Sequence, residues 1–292
     1  MAQLASDRLR IAAIRFLNPA PLMWDFEHAP IAGELANRYS LEWMLPSACA
    51  DRLADGSADI GLVPIATLAT QPDLQIIPGC TIAAKHRVRS LLLIHPAGRE
   101  VNGIRSVAAD TASRTTIAYS RILFRLWGNA AAEFVPMRAN VDAMLQAADA
   151  AIIIGDPALL ALEHAADREA RTGQRLVYRD LAEEWRAATG LLFISAVWAA
   201  RAAVEVTPEI VEHFTRSRDH GLAHLDDLTA EWAKKLPLPP GTIRGYLSLN
   251  IHYILDEECV QGMRGFFRMA AEAGVLPAYD LGLQPGGVFG AQ

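Results

Sequence analysis

Short apolar runs alternate with stretches of helical period from Arg10 to Val197, and that rhythm restricts the chain to few folds. Arg10–Phe16, Leu41–Leu45, Ile60–Val63, Ser90–Ile94, Val107–Ala109, Glu133–Val135, Ala151–Ile154 and Leu192–Val197 read as strands. Between them, Ala48–Ala54, Thr116–Trp127, Val141–Ala147 and Ala182–Ala187 read as helices. Strands separated by helices predict a mostly parallel sheet packed on both faces. From Pro208 the pattern is helical only, over 208–219, 222–234, 240–249 and 256–272, punctuated by Pro237, Pro239, Pro240 and Gly241. An α/β body with a helical end fits either one doubly wound domain with an appendage or two lobes that the chain enters and leaves. In the second reading the crossings fall near 90–100 and 190–200. The segment HPAGREVNG, 95–103, is the preferred linker because it joins Pro, two Gly and charge.

The composition narrows the partners. With 27 Lys and Arg against 33 Asp and Glu, formal charge is −6, and no basic stripe exists to bind nucleic acid. No apolar stretch has the roughly 20 residues needed to span a bilayer. The N-terminal MAQLASDRLRIAAIRF has no export-signal pattern, so a cytoplasmic location is expected. Cys49, Cys80 and Cys259 are odd in number and far apart, which suits a reducing compartment and inert thiols. Among the imidazoles, His86 and His95 flank a strand, whereas His164, His213, His220 and His224 fall on helix faces read as exposed. The i, i+4 pair His220 and His224 has no acidic neighbour to complete a metal site.

The common motifs are missing: no GxGxxG follows the first strand, and there is no P-loop, HExxH or GxSxG. Three strand-to-helix junctions remain. The first strand ends in RFLNPAPLMW, 15–24, placing Asn18 where open α/β sheets bind ligands, unless Asn18 only opens a helix. Ser47 stands at the expected N-cap of the helix in PSACADRLADG, as an anion ligand or simply a cap. In DTASRTTIAYSRIL, 110–123, Thr111, Ser113, Thr115 and Thr116 gather at a helix start. Hydroxyls, free amides and the helix dipole there can hold a carboxylate. Arg114 either pairs bidentately with that carboxylate or is solvated.

These segments together resemble the chorismate dehydratase family of the futalosine route to menaquinone. RFLNPAPLMW resembles the family's opening Tyr-Leu-Asn motif, and DTASRTT its Asp-x-x-Ser-Arg-Thr-Ser stretch. PSACADRLADGSADIGLVPI, AAIIIGDPAL (150–159), YRDLAEEWRAATGLLFISAVWAAR (178–201) and YLSLNIHYIL (246–255) are similar to further family blocks, in order along nearly the whole chain. The Ser-Pro-Cys-Pro-Asn-Asp opening of the sister dihydroxynaphthoate synthases is absent.

The resemblance implies a two-lobe fold of the periplasmic binding protein type II kind with a helical C-terminal region. Residues 1–94 would begin the first lobe, 95–195 form the inserted lobe, and 196–292 return. It implies a chorismate dianion as partner, no metal or organic cofactor, and no nucleic-acid or membrane partner. The oligomeric state is left open, a homodimer among the options. Asn18 would bind the departing hydroxyl or the enolate-like system. Ser113, Thr115 and Thr116 would hold one carboxylate with their helix amides. Ser47, with Ser90 or Arg89, would hold the other, and Asp156 would position hydroxyls of the second lobe or serve only as a helix cap. The chain departs from the family at Ala83 and Ala84, where serine is usual, and at His86, Leu192 and Ser195. Alanine offers no hydroxyl, which leaves Arg87, Arg89 or Ser90 to compensate. A non-catalytic cytoplasmic binding protein or sensor for a small aromatic or cyclic carboxylate is the competing expectation.

Overall fold

The computed structural model describes residues 8–282; residues 1–7, within the leader reading, and the last ten of the tail lie outside the described residues. The first leg of the chain runs β1 (Leu9–Ile14), α1 (Trp24–Glu27), α2 (Ile31–Leu35), β2 (Tyr39–Met44), α3 (Pro46–Ala54), β3 (Ile60–Pro64), α4 (Ala66–Thr70) and β4 (Gln75–Ala84). The second runs β5 (Leu91–Pro96), β6 (Ser106–Asp110), α5 (Thr115–Leu126), β7 (Glu133–Met137), α6 (Val141–Ala147), β8 (Ala150–Ile154), α7 (Gly155–Glu163), α8 (Ala165–Thr172), β9 (Leu176–Asp180) and α9 (Leu181–Thr189). The last comprises β10 (Phe193–Ala200), α10 (Pro208–Ala223), α11 (Leu225–Lys235), α12 (Pro240–Gly245), β11 (His252–Ile254) and α13 (Glu257–Glu272).

Two sheets result. One has the order β11-β4-β10-β3-β1-β2 and the other β7-β6-β8-β5-β9. The chain therefore changes sheet between β4 and β5, over 85–90, and returns between β9 and β10. The segment 95–103 lies inside the second lobe, where it closes β5 and forms a short 3-10 turn at Val101–Gly103. Pro and Gly there mark a turn at a strand end and not a lobe crossing. β5 spans the boundary drawn at 94/95, and β10 the one at 195/196.

Each lobe keeps a parallel core, β1 with β2 and β3 in one, β6 with β7 and β8 in the other. The expectation of mostly parallel strands fails at the returning strands. β10 runs antiparallel to β3 and β4, β11 to β4, and β5 to β8 and β9. A chain that leaves a lobe and re-enters it from the far end must lay its return strand antiparallel.

β8 shows why the apolar runs are continuous. Ala150, Ile152 and Ile154 face the main core, whereas Ala151 and Ile153 face a smaller core with Leu92, Ile94, Ala108, Met144 and Ala158. A strand covered on both faces needs apolar residues at every position, and each buried Ile contributes about 1.5–3 kcal/mol. β4 escaped the sequence reading because Pro78 and Gly79 interrupt it. Gly79 has φ 91°, and the β4–β10 register shifts between Val197 and Ala199. β11 corrects the all-helical tail: three residues are too few to show a period of two. Among the described residues no helix is long and apolar enough to cross a membrane.

Candidate active site

Between the two sheets lies a cavity of about 40 Å³. Its polar lining is Asn18, Ser90, Ser113, Thr115, Thr116 and Ser195; the rest is apolar, with Phe16, Pro46, Pro64, Val88 and Ile154 prominent. Among the described residues no charged side chain lines it. Small-molecule sites usually enclose several hundred Å³, so the lobes here are drawn together.

Asn18 enters on the turn after β1. Its side-chain oxygen is buried and has no hydrogen-bond partner among the described residues. A buried carbonyl without a donor costs about 1–3 kcal/mol, which a ligand hydroxyl or amide would offset. The turn is braced from behind by α10, where Gly221 packs against Pro21. A Cβ at Gly221 would fall 2.1 Å from the Pro21 carbonyl oxygen. Across the cavity, Gly155 adopts φ 65°, and a Cβ there would meet the Phe16 ring at 2.6 Å. Only glycine lets the two walls approach so closely.

The opposite wall starts at Asp110, the last residue of β6. Its carboxylate accepts from Ala112 N at 3.0 Å and Ile154 N at 3.3 Å, and burial raises its pKa. It thereby fixes the hydroxyl-rich loop beside the end of β8. Ser113 Oγ accepts from Thr116 N at 3.1 Å, capping the first turn of α5. Thr115 Oγ1 accepts from Ala66 N of the other lobe at 3.1 Å. Ser113 and Thr115 thus have acceptor capacity occupied while their protons remain available to a ligand. Ser113, Thr115 and Thr116 are each at most 5% exposed.

Of the residues expected from sequence, the structure gathers Asn18, Ser90, Ser113, Thr115 and Thr116 around one cavity. Four others lie off its wall. Ser47 is not the N-cap: Leu45 is, and Pro46 takes the first helical position with its preset φ, displacing Ser47 into the turn. Arg114 pairs with Asp51 of α3 at 2.5 Å across the cleft mouth. Arg89 holds a left-handed φ of 67°, and its amide donates to Asp180 Oδ2 at 2.5 Å. Asp156 accepts from Leu17 N at 2.9 Å, reaching across to the Asn18 turn. Burial pushes the Asp156 carboxyl up to about 6, against a smaller lowering by that bond.

Ala83 and Ala84 are buried and do not line this cavity. Ser195, a departure from the family pattern, does line it, presented by a register shift in β10 between Ile194 and Ala196. Sequence reading missed its role; the only signal was a lone hydroxyl in an apolar strand.

Elsewhere, His213 is buried and bonded to Tyr39 Oη at 2.9 Å, which corrects its exposed placement. His220 Nδ1 bonds Asp25 at 2.7 Å. Ligand atoms of His252, Asp256 and Cys259 lie within 4.8 Å of one another. That grouping is a capping network: Asp256 caps α13 through Cys259 N, binds His252 at 2.8 Å and has Lys85 Nζ 3.5 Å away.

Two lobes of mixed sheet, joined by short crossings and closed over a cavity at the strand ends, define a protein of the periplasmic-binding-protein fold. Solved structures agree. Protein AF1704 from Archaeoglobus fulgidus superposes with TM-score 0.68 at 15% identity, covering 93% of this chain and 99% of that one. The periplasmic aliphatic sulphonate binding protein SsuA from Escherichia coli gives TM-score 0.61 at 15% identity, covering 92% and 87%. Residues 9–272 match the family model described as menaquinone biosynthesis, and the chain belongs to that family. A relative named chorismate dehydratase, from Thermus thermophilus, is 28% identical over 231 residues, 76% of this chain and 82% of the relative.

Proposed function

We propose that this chain is a chorismate dehydratase, converting chorismate to 3-[(1-carboxyvinyl)oxy]benzoate and water in the futalosine route to menaquinone, in the cytoplasm. The observation that carries this reading is the cavity itself: an enclosed, uncharged pocket with hydroxyl donors on one side and the buried Asn18 amide on the other.

The reaction takes a proton from the carbon bearing the enolpyruvyl ether and a hydroxyl from its neighbour. Aromatisation supplies the drive, so the protein needs chiefly to orient a dianion and stabilise charge as it moves. Ser113, Thr115, Thr116 and the first-turn amides of α5 suit a carboxylate, aided by the helix dipole. Asn18 suits the departing hydroxyl. Among the described residues no carboxylate, imidazole or amine lines the cavity, which supports the substrate's own side-chain carboxylate as proton acceptor. Asp51–Arg114, Asp156–Leu17 and Thr115–Ala66 bridge the lobes, and admitting a guest this size requires them to part.

Incubating the protein with chorismate and following the mass for loss of one water tests the reading. Appearance of the dehydrated product is expected. Saturable binding without turnover would replace the enzyme with a carboxylate sensor.

A further inference from the structure

The π-helical turn that follows α12 grips the first lobe crossing at two points. At its start, Tyr246 Oη donates to Ser90 Oγ at 2.7 Å; at its end, Asn250 Nδ2 donates to the Arg87 carbonyl at 3.0 Å. Between them, the Val88 and Arg89 amides are pinned by Asp180 Oδ2. Ser90 is thus presented by a crossing held from two sides, next to a residue in a strained left-handed conformation. Isolated π turns are rare and concentrate at functional sites.

The hydrogen-bond direction matters. A serine hydroxyl has one proton and two acceptor sites. Tyr246 and Ser90 are 1% and 2% exposed, so no bulk water competes for their pairing. Ser90 lines the cavity, whereas Tyr246 stands behind it. With the phenol proton on Ser90 Oγ, the serine's own proton is left to the cavity side. A tyrosine phenol keeps its proton at physiological pH, and burial raises that of Tyr246 further.

We infer that Tyr246 is a positioning residue for the reaction: it fixes the Ser90 hydroxyl as a donor into the cavity, aimed at a substrate carboxylate or developing oxyanion. This rests on the cavity being the chorismate site. Tyr246 acts only through Ser90, and that dependence is measurable.

The test is a double-mutant cycle in kcat and KM with chorismate. Tyr246→Phe is expected to lower kcat/KM about 3- to 10-fold. In a Ser90→Ala background the same change should alter it by less than about twofold, because no hydroxyl remains to orient. Equal losses in the two backgrounds overturn the inference. Ser90→Thr, which keeps the hydroxyl, should restore sensitivity to Tyr246→Phe. Should Tyr246→Phe not fold, a fluorotyrosine placed at 246 alone, which keeps the ring and alters the phenol's donor strength, replaces it: a change in kcat/KM that vanishes in Ser90→Ala supports the inference, and an equal change in both backgrounds defeats it. A fully active Ser90→Ala beside an inactive Asn18→Ala defeats this inference and keeps the cavity reading. No turnover by the unaltered protein removes both.

Discussion

The two walls of the cavity are built on opposite plans. The second lobe offers Ser113, Thr115 and Thr116 around the start of a 12-residue helix. The first lobe offers Pro46, Pro64 and Phe16, stiff and apolar, with the amide of Asn18 and the hydroxyl of Ser195 on β10. One wall has redundancy, several hydroxyls around one helix start; the other has a single amide and one hydroxyl on a separate strand. Because the Asn18 side-chain oxygen is buried without a partner among the described residues, damage to the first-lobe wall should be concentrated at Asn18, whereas damage to the second should be graded.

Asn18→Ala puts the largest effect on that contrast. Turnover should fall on the order of 10²-fold or more with the fold intact, as for loss of one preorganised polar group; near-normal kcat would mean the two walls do not differ in this way. Thr115→Ala combined with Thr116→Ala should weaken substrate affinity roughly 10- to 100-fold, the range for hydrogen bonds to a charged group, measured by titration calorimetry. Unchanged affinity would move the carboxylate elsewhere.

Asp156 links the walls, and its effect is on stability. Its folded pKa, about 6, lies above the unfolded value, so the folded state holds the proton more tightly. Its contribution is present below pH 4 and is lost as pH rises through 6. Asp156→Asn keeps an oxygen for Leu17 N without the titration. The variant's urea midpoint should gain on the parent between pH 4.5 and 7, and parallel curves would contradict the shift. Smallest is Arg114→Ala. Its pair with Asp51 is exposed on both sides, 36% and 65%, and exposed pairs contribute about 0–1 kcal/mol. Less than about fivefold change in KM is expected, and a much larger one would return Arg114 to the substrate.

Much of this was legible in the chain. Helix α6 has the bounds its periodicity predicts, Val141–Ala147, because a short amphipathic stretch between two apolar strands has little else to do. Asn18 could be found because a strand end followed by Pro is a local signal. β4 could not, since its Pro78-Gly79 bulge is stabilised by a strand more than a hundred residues later. The same holds for Ser195 and Tyr246. Their neighbours in sequence are unremarkable, and their roles come from partners on distant segments. Arg114 shows the converse: it looked like an anion ligand because its salt partner, Asp51, lies 63 positions away.

If the cavity is the proposed substrate site, a wall with no guanidinium or ammonium group among the described residues would make its grip on negative charge moderate. A benzoate leaving the site carries the same two anionic groups as the molecule that entered. Arginines would have clasped both alike and slowed the exit. Neutral donors would forgo some affinity for arrivals, and in return the aromatic compound could depart and free the cleft for another round.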